Sequence, residues 1–117
     1  MTVRDIISIL NAEIIAGEDC CEQEIKTACG SDMMSDVLAY VKEQSVLLTG
    51  LINPQVVRTA DMMDMICIIF VRGKMPEAGI IELATERGIA LLRTNLGMFE
   101  ACGLLYTNGL SGGVINE

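Results

Sequence analysis

The chain of 117 residues holds sixteen acidic and eight basic side chains, five cysteines, and neither histidine nor tryptophan. Without His, the commonest general base and the commonest metal ligand are both missing. No Ser or Cys has an imidazole that could activate it as a nucleophile. Cys20, Cys21, Cys29, Cys67 and Cys102 are odd in number and form no Cys-x-x-Cys pair. Adjacent Cys20 and Cys21 are unsuited to an ordinary disulfide, whose Cα atoms prefer a separation of about 5.5 Å. A thiolate site built from Cys20, Cys21 and Cys29 matches no standard ligand spacing. The thiols are therefore expected to be reduced, as in a cytoplasmic protein. Asp32 with Asp36, and Asp61 with Asp64, are carboxylate pairs at helical spacing, and on exposed faces they read as solvated charge. The expectation is a protein with no catalytic group, no metal and no cofactor.

What remains is a chemistry of binding. Ser31, Asp32, Thr49, Gly50, Asn53, Arg72, Gly73, Thr94 and Asn95 all fall where an apolar run ends or a helical pattern begins. Glycines let a backbone approach a ligand closely, and helix N-termini offer unpaired N–H groups to an anion. Arg72 adds a fixed positive charge able to pair in bidentate fashion. The same residue types also serve any strand–helix loop for turning and capping. Neither a Gly-x-x-x-x-Gly-Lys-Ser/Thr phosphate loop nor a Gly-x-Gly-x-x-Gly string occurs.

The elements that must position these loops follow from hydrophobic periodicity. Thr2 and Asp5 form a capping box, with Asp in place of Glu, ahead of the helical set Val3, Ile6, Ile7 and Leu10 that stops at Asn11. Short strands are expected at 12–16 and 25–29, around a solvated acidic turn at 18–24. Ser31-Asp32 signals the start of a helix to about residue 43, with Met33, Met34, Val37, Leu38 and Val41 on one face. Strands are expected at 46–49, 66–71 and 89–92. A helix opens at Asn53-Pro54 with Val56, Val57, Ala60 and Met63 inward. Another opens at Met75-Pro76 with Ile80, Leu83 and Ala84 inward and ends at Gly88. A last helix covers 96–106. Strands that are apolar throughout, alternating with helices, predict a mostly parallel sheet of about five strands covered on both faces. The fold class is therefore a three-layer α/β/α sandwich over residues 1–110, with a flexible tail at 111–117. In such sheets ligands gather beyond the carboxyl ends of the strands, where the nine loop residues are predicted to lie.

Charge and hydropathy narrow the partners. A net charge of −8 is the wrong balance for neutralising nucleic-acid phosphates. No apolar run reaches the roughly 20 residues needed to cross a bilayer, and no secretory signal pattern opens the chain. From Thr94 to Asn116 the sole charged residue is Glu100. A helix apolar on several faces must be buried, in the core or against a second subunit. Met98, Phe99, Cys102 and Tyr106 are accordingly candidates for a homodimer interface.

The run from Ile66 through Val71-Arg72-Gly73-Lys74-Met75-Pro76, continuing by Glu82-Leu83-Ala84 to Gly88-Ile89-Ala90-Leu91-Leu92-Arg93-Thr94, resembles the N-terminal domain of HPr kinase/phosphorylase. Thr2-Val3-Arg4-Asp5-Ile6-Ile7 with Ala16-Gly17-Glu18 resembles that domain's start. To about Leu110 the chain is similar to free-standing DRTGG-domain proteins, although the literal Asp-Arg-Thr-Gly-Gly string is absent and Thr49-Gly50 is its nearest echo. The resemblance implies a three-layer fold similar to the N-terminal domains of HPr kinase and the Mur ligases. It further implies a regulatory or assembly role. Taken with the loop residues and the apolar last helix, the expectation is a non-catalytic module that self-associates and binds a small anion such as an adenine nucleotide. The alternative it implies is an accessory subunit of an anaerobic, hydrogenase-type redox system. A protein serine kinase is disfavoured, because that chemistry needs the missing phosphate loop.

Overall fold

Four parallel strands, laid side by side in the order in which the chain makes them, set the frame. A computed structural model describes residues 1–40 and 43–112. The expected capping box forms: the Asp5 amide donates to Thr2 Oγ1 at 3.2 Å and the Thr2 amide to Asp5 Oδ2 at 2.9 Å. It opens helix α1 (Val3–Leu10), which ends at Asn11 in a left-handed conformation. Strand β1 (Glu13–Ala16) leads through a short 3-10 turn (Glu18–Cys20) to β2 (Thr27–Gly30) and helix α2 (Met34–Tyr40). Strand β3 (Ser45–Thr49), helix α3 (Pro54–Met62), strand β4 (Cys67–Phe70), helix α4 (Ala78–Arg87), strand β5 (Ala90–Arg93) and helix α5 (Met98–Thr107) follow.

The sheet order is β1-β5-β4-β3-β2; β2 to β5 are parallel and β1 is antiparallel to β5, with a register shift before Ala16. Every residue of β3 and β4 is buried, the signature of a sheet covered on both faces. Alternate side chains enter opposite cores. Val46, Leu48, Cys67, Ile69 and Leu92 pack with Val3, Ile6 and Leu10 of α1 and Ala101 and Leu105 of α5. Leu47, Ile68, Phe70 and Leu91 pack with Val37, Val56, Val57, Ala60, Ile80 and Ala84 of α2, α3 and α4. The three crossovers thus lie on one face, as a constant hand of connection requires. This is the three-layer sandwich expected from the sequence.

Element ends depart from expectation for local reasons. Helix α4 starts at Ala78 rather than at Met75-Pro76, because Glu77 is still extended and serves as its cap. Leu96 precedes the last helix: its amide donates to Thr94 Oγ1 at 3.3 Å, and Gly97 is the cap. Strand β2 begins two residues late, since Ile25 already donates to the Met1 carbonyl at 2.6 Å. Of the expected inner face of α2, Val37 is buried but Met33 and Leu38 are exposed; Val41 lies outside the described residues. The expected flexible tail falls outside them from 113 onward, while the Ser111 carbonyl accepts the Ala28 amide at 2.9 Å. Among the described residues, no helix is long and apolar enough to cross a membrane.

Candidate functional site

Because β2 to β5 run parallel, their carboxyl ends present four successive turns on one rim. Three of those turns interlock. Asp32, two residues past β2, turns its carboxylate across to the end of β3. There Oδ1 accepts the Gly50 amide at 2.7 Å and the Thr49 hydroxyl at 3.0 Å. Asp32 Oδ2 faces Arg72 Nη2, from the end of β4, at 3.9 Å. Thr49 Oγ1 in turn accepts the Leu51 amide at 3.1 Å. Arg72 lies directly over Gly50: a Cβ at position 50 would fall 2.1 Å from Nη2. Glycine there makes room for the guanidinium.

The fourth turn is tied to the third through the backbone. The Arg72 amide donates to the Leu96 carbonyl and the Gly73 amide to the Thr94 carbonyl, both at 2.8 Å. Asn95 Oδ1 closes over Gly73, where a Cβ would stand 2.9 Å away. Arg72 and Gly73 both have positive φ, 58° and 68°, and the Lys74 amide closes the turn on the Val71 carbonyl at 3.2 Å. The Arg72 side chain is 48% exposed and that of Asp32 45%. The rim therefore offers solvent a guanidinium held above a glycine, flanked by an amide and a hydroxyl that already share a carboxylate.

Of the nine predicted residues, Asp32, Thr49, Gly50, Arg72, Gly73 and Asn95 come together. Ser31 is spent locally, its Oγ accepting the Met33 amide at 2.9 Å. Thr94 is buried and donates to the Leu10 carbonyl at 3.0 Å, joining α1 to the rim as a structural link. Asn53 caps α3 without a side-chain hydrogen bond. It lines a separate open groove of about 500 Å³ with Pro54, Arg58, Glu77 and Ile80. The Leu96 carbonyl, which anchors Arg72, left no sequence signal, since any residue supplies one.

The candidate interface residues divide. Phe99 and Tyr106 on α5 are 88% and 71% exposed. Met98 and Cys102 are half-buried against the α1/α5 core, and Cys102 Sγ fills the space beside Gly30. Burial pushes the Cys20, Cys29, Cys67 and Cys102 thiols above the ordinary cysteine range, away from the reactive thiolate. Among the described residues, no cluster of three or more Cys, Asp or Glu side chains is arranged to hold a metal ion.

Comparison with known families bears on what this arrangement is. The family model of the DRTGG domain matches residues 5–107, which spans the whole sheet and the rim. The chain belongs to the DRTGG-domain family. The DRTGG fold recurs in the crystal structure of the CBS and DRTGG domains of the regulatory region of Clostridium perfringens pyrophosphatase, complexed with the activator diadenosine tetraphosphate. That structure superposes with a TM-score of 0.70 at 19% identity, covering 89% of this chain and 45% of the other. The DRTGG chain thus spans less than half the length of that neighbour, and the likeness is one of fold. No curated protein matches it.

Proposed function

We propose that this DRTGG domain is a non-catalytic regulatory module whose rim at Asp32, Thr49, Gly50, Arg72, Gly73 and Asn95 receives a small anionic ligand, an adenine nucleotide being the class favoured. The reading is carried by the position of Arg72, half exposed above Gly50 with Asp32 as its polar partner at 3.9 Å. A guanidinium presented in this way pairs with phosphate or carboxylate oxygens through two parallel hydrogen bonds. The pyrophosphatase regulatory region that shares the fold is itself complexed with an adenine dinucleotide activator, which motivates the choice of ligand class. A sequence with no histidine and no phosphate loop supports a role in binding rather than group transfer.

Titration calorimetry of the protein with AMP, ADP, ATP and diadenosine tetraphosphate tests the reading. At least one nucleotide is expected to release heat, with affinity falling tenfold or more in Arg72→Ala and in Gly50→Ala, whose methyl group displaces the guanidinium. Flat traces for all four nucleotides remove the ligand. A second reading, docking on a protein partner such as a redox enzyme, is favoured by the exposed Phe99 and Tyr106. It predicts that a partner recovered from native extract is lost when both residues are made polar.

A further inference from the structure

We infer that Asp32 is a built-in competitor at the rim: its carboxylate occupies the anion seat in the free protein and withdraws when a ligand's phosphoryl or carboxylate group takes the same donors. The inference rests on the binding reading above and adds a regulatory step to it. Three donors from two strand ends converge on this one side chain: the Gly50 amide at 2.7 Å, the Thr49 hydroxyl at 3.0 Å and, more loosely, Arg72 Nη2 at 3.9 Å. Such convergence of an amide, a hydroxyl and a guanidinium on two oxygens is what an external oxyanion would also require.

Asp32 is not needed where its sequence position suggests. Ser31-Asp32 reads as the start of α2, yet the local amide of Met33 is served by Ser31 Oγ at 2.9 Å. Asp32 instead reaches across to a turn seventeen residues further along the chain. Exchanging it for a ligand anion keeps every donor satisfied in both states, so neither state carries the penalty of an unpaired group. The exchange is directional, because a phosphoryl group carries more charge than a carboxylate and faces the same guanidinium.

Release of Asp32 frees the segment leading into α2. That short helix is held by few apolar contacts: Val37 is buried and Met34 packs partly against the same core, while Leu38 is exposed, as is Met33 just before the helix. Elements with few buried apolar contacts are the ones that open at low cost. Ligand capture at the rim is thereby converted into a change at the outer layer, where another domain or subunit could read it.

The test compares inorganic pyrophosphate and ADP binding to the wild-type protein, Asp32→Asn, Asp32→Ala and Arg72→Ala by calorimetry. Removing the competitor is expected to tighten binding about tenfold in Asp32→Ala, the factor for a seat that Asp32 fills roughly nine-tenths of the time. Asp32→Asn keeps an oxygen acceptor for Gly50 and guards against a folding defect, and it too is expected to bind more tightly than wild type. Amide exchange over residues 31–40 is expected to rise when pyrophosphate is added to the wild-type protein. Binding that depends on Arg72 but is unchanged or weakened in both Asp32 variants overturns the competitor while leaving the site intact. Absence of binding in all four proteins overturns both.

Discussion

Arg72 is the residue on which the proposed site turns, and its backbone is as informative as its charge. With φ of 58° followed by 68° at Gly73, the turn from Val71 to Lys74 has the two successive left-handed residues of a type I′ turn, for which Asn-Gly is the favoured pair. Arginine there bears about 1–2 kcal/mol of strain, of the kind that collects at functional positions. Arg72→Asn is therefore expected to raise the urea midpoint, by about 1 kcal/mol of stability, while abolishing the nucleotide heat. A parallel loss of both would show that Arg72 is structural. Cys67 makes a second residue-scale case. Burial drives its thiol far above the ordinary range, so iodoacetamide applied to the native protein is expected to spare it. Peptide mass spectrometry should show Cys67 labelled only after unfolding. The Arg72-Gly73 pair was visible in the sequence as the end of an apolar run. The crossing of Asp32 to Thr49 and Gly50 was not, because an Asp beside a helix start looks like a cap whether or not it serves as one.

Whole elements were more legible than their ends. The apolar runs that became β3, β4 and β5 are buried on both faces, and their shortness and their flanking glycines marked them as strands rather than buried helix. The capping box of α1 was readable because its two partners lie three residues apart, and it yields a prediction at this scale. Thr2→Ala is expected to cost about 1 kcal/mol, measured by urea unfolding at neutral pH. The Thr2 amide and hydroxyl hold the Asp5 carboxyl below its ordinary range. Because the folded value is the lower one, Asp5 stabilises the fold above the titration of the unfolded carboxyl. That contribution is lost as pH falls through the folded value. Asp5→Asn should accordingly flatten the acid limb of the stability profile without altering its course near neutrality. What periodicity could not supply was the choice among faces: Met33 and Leu38 share helical spacing with Val37 yet stay exposed, since α2 covers the sheet beside the edge strand β2.

At the scale of the molecule, charge decides where a second copy could sit. Each chain carries a net −8, so two copies repel at long range, and the least costly contact is one that buries no carboxylates. The outer face of α5 is such a surface. Phe99 and Tyr106 project from it, a Cβ on Gly103 between them would meet no other element within 4 Å, and Glu100 is the one charged residue from Thr94 to Asn116. Self-association through this face would have apolar burial as its driving force and long-range repulsion as its opposition. The repulsion is screened as the Debye length shrinks from about 30 Å at 0.01 M salt to about 3 Å at 1 M. Dimer formation, followed by sedimentation velocity, is therefore expected to strengthen with salt, the reverse of an interface built on ion pairs. Phe99→Glu combined with Tyr106→Glu should leave a monomer at every salt concentration. Its melting temperature should stay near that of the wild-type monomer, because neither ring contributes to the core. A wild-type protein that remains monomeric in high salt would rule out self-association through the α5 face, and would leave the binding proposed at Arg72 to a single copy.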